Sequence, residues 1–261
     1  MLILVTNDDG IHSPGLRVLA HSLAALGRVV VVAPDRERSA VSHALTLHLP
    51  LRATQQAADW WAVDGTPTDC VNIGIHGLVK ATPQLVVSGI NLGANLGDDL
   101  TYSGTVAAAM EATLMGVPAL AVSLAGGSFA EGDFVWAGRW AAHFAAQVRE
   151  HGLPADTFLN VNVPAGQPTG SKLTRQGKRR YGDAVVQKVD PRGRSYYWIG
   201  AGELALQDLD GTDAHAVQRG LVSVTPLHLD LTNYAAFERL RSWHVEVCEP
   251  AAAVTAEELS P

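Results

Sequence analysis

Apolar residues in this chain gather into short runs of strand length: Leu2 to Thr6, Arg28 to Ala33, Trp60 to Val63, Gln84 to Val87, Ala119 to Ser123 and Phe158 to Val163. Runs that stay apolar at successive positions belong to strands covered on both faces. Between most of them the pattern changes to helical spacing. Leucines and alanines recur at that spacing over residues 15–26 after Ser13-Pro14, and Gly27 stops them. Thr66-Pro67 opens a second helical stretch reaching Leu78, Val106 to Met115 forms a third that ends at Gly116-Val-Pro118, and residues 134–150 fit a fourth. Strands alternating with helices predict an α/β fold, a Rossmann-like and mostly parallel sheet with helices on both faces.

After Pro164 the texture changes. Residues 172–200 carry clustered Arg and Lys and then Tyr196-Tyr197-Trp198, with Pro191-Arg192-Gly193 available as a turn, which predicts a protruding β-hairpin. Two thin arms cannot bury these aromatics alone, so the main domain or another subunit must cover them. Ser223 to Leu227 gives one more strand and Tyr234 to Arg241 a short helix; no internal repeat is present. The expected organisation is one domain over residues 1–248, with a core over about 1–165, a hairpin and C-terminal oligomerisation region over about 172–248, and a disordered tail at 249–261.

Composition narrows the function. At 261 residues and 47% apolar, the chain can bury a sizeable core. A formal charge of -7 argues against a broad polyanion-binding surface, so no nucleic-acid polymer is expected as a partner. Cys70 and Cys248 show no metal-type spacing, and so few cysteines fit a reducing compartment. The first residues lack a basic n-region, and the leading apolar run falls far short of the about 20 residues a membrane helix needs. A soluble, cytoplasmic protein with no membrane partner is expected.

The first strand runs straight into Asn7-Asp8-Asp9-Gly10, where open α/β sheets place their ligands. Two adjacent carboxylates repel, and a divalent metal relieves that repulsion; the competing reading is a turn that caps the next helix. Three further loops follow strand-like runs. They are Ala33 to Ala40, with Asp35, Arg38 and Ser39; Ser88 to Gly97, with Asn91 and Asn95; and Tyr102-Ser103-Gly104-Thr105 at a helix start. Free N–H groups and hydroxyls at a helix start suit a phosphate, although Ser103 also serves as a plain N-cap.

The segments LVTNDDGI, VVAPDRERSA, GTPTDCV, VSGINLGANLG and YSGTVAAAMEA, in this order, resemble the SurE family of survival proteins. The likeness continues through Leu159 to Pro164, Thr174 to Gln176, Tyr196 to Trp198, Ser223 to Pro226 and Leu231 to Asn233. The resemblance implies a metal-dependent 5'/3'-nucleotidase, a phosphomonoesterase acting on nucleoside monophosphates. It also implies assembly into homodimers or homotetramers through the hairpin and C-terminal segment. Carried over, the metal ligands are Asp8, Asp9, Ser39 and Asn91, with Asp8 also catalytic, as base or nucleophile. Asn95, Ser103, Gly104 and Thr105 are the implied phosphate contacts. A hard oxygen shell of this kind favours one Mg²⁺ or Mn²⁺ per subunit over zinc.

His12 and His43 lie near these loops without an assigned role. A dinucleotide-dependent oxidoreductase and a P-loop NTPase are disfavoured, because G-x-G-x-x-G and G-x-x-x-x-G-K-[ST] are both missing. The remaining alternative is a non-catalytic nucleotide-binding or sensing module. A pure anion binder, however, gains nothing from paired carboxylates unless a metal intervenes.

Overall fold

Residues 1–181, 185–199 and 204–243 are described by the computed structural model of the chain, which comprises two compact units, Met1–Leu229 and Asp230–Pro261. In chain order the first unit runs β1 (Leu2–Thr6), α1 (Pro14–Leu23), β2 (Arg28–Pro34), β3 (Ala53–Ala57), β4 (Trp60–Val63), α2 (Pro67–Ile73), β5 (Leu85–Leu92), α3 (Gly104–Leu114), β6 (Ala119–Ala125), α4 (Phe134–His151) and β7 (Thr157–Pro164). It continues with β8 (Gly170–Leu173), β9 (Arg179–Tyr181), β10 (Val185–Val189), β11 (Ser195–Ile199), β12 (Leu204–Leu206), α5 (Asp213–Gln218) and β13 (Leu221–His228). The second unit contributes a 3-10 turn at Tyr234–Ala236 and α6 (Phe237–Arg241). Among the described residues no helix is long and apolar enough to cross a membrane.

Nine strands form one sheet in the order β3-β4-β2-β1-β5-β6-β7-β13-β8. From β4 to β7 every neighbouring pair is parallel. Antiparallel pairing enters where β3 meets β4 and where β13 meets β7. All six apolar runs of the sequence are strands. Their alternate side chains feed two cores. Ile3, Val5, Leu85 and Val87 face Leu16, Leu19 and Leu23 of α1 and Phe134 and Ala137 of α4. Leu4, Val30, Val32 and Val86 face Cys70 and Val71 of α2 and Val106, Ala109 and Ala112 of α3.

Several boundaries differ from those the sequence suggests. The stretch 15–26 divides into α1 and a 3-10 turn at Ala24–Leu26, and the stretch to Leu78 into α2 and a π turn at Gly74–Leu78. α3 starts at Gly104 rather than Val106, because the Ser103 hydroxyl accepts the Val106 N–H at 3.1 Å and caps the helix. The hairpin is also narrower than residues 172–200. Lys172 and Leu173 belong to β8 in the main sheet, while β10 and β11 pair as arms, with Gln187 opposite Tyr197, and β9 and β12 form a second antiparallel pair. Asp190 shapes the turn, its Oδ1 accepting the N–H groups of Arg192 and Arg194. Tyr197, Trp198 and Ile199 are exposed by 61%, 58% and 84%, so the arm leaves its apolar side chains uncovered within one chain. Cys248 and the tail 249–261 lie outside the described residues.

The helix-to-sheet contact nearest the strand tips has no slack. A Cβ added at Gly15 of α1 would lie 2.2 Å from the Ile90 carbonyl oxygen, immediately before Asn91. Gly15→Ala is therefore expected to push α1 off β5 and lower stability by about 1–3 kcal/mol, the usual cost of overpacking. Denaturant unfolding against wild type measures this, and an unchanged midpoint would contradict the close approach.

Candidate active site

β1 has β2 on one side and β5 on the other, so the sheet changes its winding direction beside β1. The crevice beyond the carboxyl ends of strands at such a switch is where open α/β sheets hold ligands. Asn7 to Gly10 turns into it, with the Asn7 side-chain amide donating to the Gly10 carbonyl at 3.0 Å. Gly10 has φ +93°, and a Cβ there would lie 2.9 Å from the Arg36 backbone. Only glycine lets the loop after β1 cross the loop after β2 this closely.

Three other loops bond directly to the two carboxylate residues. The buried Asp8 side chain accepts the Thr105 hydroxyl on Oδ1 at 2.5 Å and the Thr105 N–H on Oδ2 at 3.2 Å. The Asp8 carbonyl accepts the Arg38 N–H at 2.7 Å, which fixes the strand of chain leading to Ser39. Asp9 Oδ2 accepts the Leu92 N–H at 3.0 Å, next to Asn91. Gly104 completes the fit, since a Cβ there would lie 2.9 Å from Asp8 Cβ.

Burial pushes the Asp8 carboxyl above the usual carboxylate range, against the pull of its bonds to Thr105. Burial, and then the charge of Asp8, push the Asp9 carboxyl up to about 7; the Glu37 charge adds to this and the Leu92 N–H opposes it. The pair is thus poorly compensated by the chain's own groups. Asn91 spends its amide nitrogen on the Gly93 carbonyl at 2.8 Å, so its Oδ1 is the atom that could serve as a metal donor. Asn7 Oδ1, beside Asp8, is buried with no hydrogen-bond partner among the described residues. An all-oxygen donor set with excess negative charge fits a hard divalent cation. It does not fit a thiolate or imidazole site: among the described residues no three His, Cys, Asp or Glu side chains converge as metal ligands.

Ser39 is exposed, and its hydroxyl donates to Glu37 Oε1 at 2.8 Å rather than to the carboxylate pair. The helix-start residues are also already engaged. Thr105 gives both its donors to Asp8 and Ser103 caps Val106, so the α3 N-terminus is turned toward Asp8 itself. Asn95 is held from several sides. Its N–H donates to Asn162 Oδ1, its carbonyl accepts from the amides of Asn160 and Asn162, and its own side-chain amide donates to Ser123.

The sequence motifs assign no role to Asn160, Asn162, Asp213 and Glu111, although all but Asp213 lie in segments that carry the resemblance. Of these, Glu111 carried a signal, an acid on the alanine-rich helix α3. Buried Glu111 receives the Asn72 amide at 2.6 Å on one oxygen and lies 2.6 Å from His43 Nε2 with the other. The segment after Ser39 is thereby strapped down. Ser42 bonds to the carbonyls of Thr101 and Tyr102, and Thr46 to the Asp69 carboxylate. His12 is exposed, and its carbonyl accepts from the Arg17 guanidinium at 2.9 Å.

The family model described as Survival protein SurE matches residues 3–183. A 5'-nucleotidase SurE of Syntrophotalea carbinolica is 67% identical over 243 residues, covering 93% of this chain and 97% of the relative. One of Geobacter sulfurreducens is 61% identical over 255 residues, covering 97% of each. The solved SurE protein from Aquifex aeolicus superposes with a TM-score of 0.82 at 43% identity, covering 94% of this chain and 100% of that one. With the family model matched over residues 3–183 and relatives 61% and 67% identical over nearly their whole length, the chain belongs to the SurE family.

Proposed function

We propose that this chain is a metal-dependent phosphomonoesterase that hydrolyses nucleoside monophosphates to nucleoside and inorganic phosphate. The observation that carries this reading is the convergence of three loops, by direct hydrogen bonds, on the Asp8–Asp9 pair at the switch point of the sheet. The 5'-nucleotidase names of the relatives supply the substrate class. Asp8, Asp9, Ser39 and Asn91 would hold one Mg²⁺ or Mn²⁺ per subunit, with Ser39 turning from Glu37 toward the carboxylates. When bound, the cation supplies charge compensation and polarises the phosphoryl oxygens.

The chain's own groups do the rest. Thr105 fixes the Asp8 carboxylate in one orientation, and the Leu92 N–H fixes Asp9. Asp8 is the catalytic residue, either taking the proton of the attacking water or attacking phosphorus itself. Asn95, Ser103, Gly104 and Thr105 line the phosphate end; with Ser103 and Thr105 engaged within the chain, the Gly104 N–H is the donor of that turn left for the anion. The exposed arm β10–β11 meets a second copy, giving a homodimer or, from paired dimers, a homotetramer. Two cysteines in the whole chain accord with a cytoplasmic site of action.

Exhaustive chelation is expected to abolish phosphate release from nucleoside monophosphates, and Mn²⁺ to restore it. Asp8→Asn and Asp9→Asn should each cost about 10²–10⁴-fold in turnover with the fold intact. Full activity after chelation would overturn the reading. Metal binds the ionised Asp9, so Mn²⁺ affinity should climb from about pH 6 to pH 8 as the carboxyl titrates near its raised value of about 7. In the metal-free protein the sign reverses. A folded value above the unfolded one stabilises at low pH, and that contribution is lost between the unfolded value of 3.8 and about 7, so the apo melting temperature should fall over that interval and level off above it. Calorimetric and thermal titrations check both, and a pH-independent Mn²⁺ affinity contradicts them.

Ser39→Ala and Asn91→Ala should weaken Mn²⁺ binding less than loss of either carboxylate, since neutral oxygens contribute less charge attraction. Wild-type Mn²⁺ affinity in Asn91→Ala would remove Asn91 from the ligand set. For assembly, Gln187 to Tyr197 can be deleted and the paired Val186 and Trp198 joined by a two-residue turn. Light scattering should then report a smaller oligomer with Mn²⁺ affinity retained; an intact chain that is monomeric at micromolar concentration refutes this interface.

A further inference from the structure

Asp213, the first residue of α5, is fully buried, yet it touches none of the loops around Asp8 except one. Its Oδ2 accepts the Gly97 N–H at 2.8 Å, and its Oδ1 accepts the N–H groups of Gly177 at 2.9 Å and Ala214 at 2.7 Å. A buried carboxylate persists only when such charge-assisted bonds replace its water, and here backbone donors provide them. Gly97 is gripped on its other side as well, because the Gln176 side-chain amide donates to its carbonyl at 2.9 Å. Lys178 then pairs with Asp98 at 3.0 Å. No side chain can intervene at Gly177, where a Cβ would lie 2.6 Å from Asp213 Oδ1.

The residues gripped in this way end the loop that begins at Asn91 and contains Asn95. Its upstream part is anchored in the sheet, with Asn91 paired to Ser123 and Asn95 bonded to Asn160 and Asn162. Its downstream end has Asp213 and Gln176 instead, and Gln176 to Lys178 lead directly into β9, the stem from which the β10–β11 arm follows in the chain. We infer that Asp213 is a positioning residue for the phosphate end of the active site, a clamp that joins loop 91–97 to the stem of the exposed arm. This rests on the reading that loop 91–97 faces the substrate phosphate. The clamp acts on phosphate rather than on metal, because Asn91 is held by strand pairing independent of Asp213.

Asp213→Asn keeps the shape but turns an amide donor toward a backbone N–H, breaking at least one of the bonds. Inorganic phosphate binding to the Mn²⁺-loaded full chain, followed by calorimetry, is expected to weaken about tenfold, the worth of one hydrogen bond to a charged group. KM for a nucleoside monophosphate should rise in parallel with kcat within about threefold, Mn²⁺ affinity should stay within about twofold, and amide exchange at Gly97 should accelerate. Wild-type phosphate affinity in this variant, or a parallel loss of Mn²⁺ affinity, would overturn the assignment. If Asp213→Asn fails to fold, Gln176→Ala decides: a weaker phosphate affinity at unchanged Mn²⁺ affinity supports the clamp, and unchanged phosphate affinity overturns it. A wild-type chain that binds phosphate but hydrolyses no nucleotide removes the nucleotidase reading, while the phosphate titration still judges Asp213.

Discussion

Burying the Asp8 carboxylate against the first turn of α3 is the constraint on which the rest of the site depends. An ionised carboxyl out of water needs donors, and Thr105 gives it both a hydroxyl and an N–H from the positive end of a helix. That contact demands glycine at 104, a serine cap at 103 and a helix of small residues that can lie close to the sheet. Asp9 has a single such bond and a neighbour of like charge, so its carboxyl is raised to about 7. Asp8 is fixed by two bonds and Asp9 by one, yet burial raises both carboxyls, so the adjacent acids differ in how firmly they are held rather than in their need for a counter-charge.

Around this pair the loops are fixed by buried polar side chains. Glu111 holds His43, Asp69 holds Thr46, Asn160 and Asn162 hold Asn95, and Asp213 holds Gly97. Each is buried or nearly so and each bonds to a segment distant in sequence. Where the chain leaves strand pairing, as it does beyond Leu92, buried side-chain bonds supply the rigidity instead.

Much of this was legible in the chain. Apolar runs mark the six central strands because a parallel strand covered on both faces must be apolar at every position. β3, Ala-Thr-Gln-Gln-Ala, escapes such a reading because it is an edge strand whose side chains are mostly exposed. α5 is only six residues long and shows no helical period. At the site, Asp8, Asp9, Asn91 and Thr105 stand out as polar residues after strands or at a helix start. Asp213 and Asn162 do not, since their partners lie 116 and 67 residues away and nothing local distinguishes such an acid or amide from a solvated one. Ser103 was legible in both its guises, and the cap is the one the hydrogen bonds display.

The strand order also bears on how the molecule is made. β1 precedes every other strand in the chain yet is central in the sheet, and its two neighbours are β2 and β5. The nascent chain therefore carries Asp8 and Asp9 with an unpaired strand edge beside them until residues through Leu92 have emerged. Thr105 arrives later still, and the Gly97 anchor only once Asp213 has been added. An unfinished chain of this topology holds an apolar, hydrogen-bond-hungry edge open to wrong partners for most of its synthesis. The open edge passes from β1 to β5, β6 and β7 in turn, and β13, from a part of the sequence that supplies none of the candidate metal ligands, covers the edge of β7.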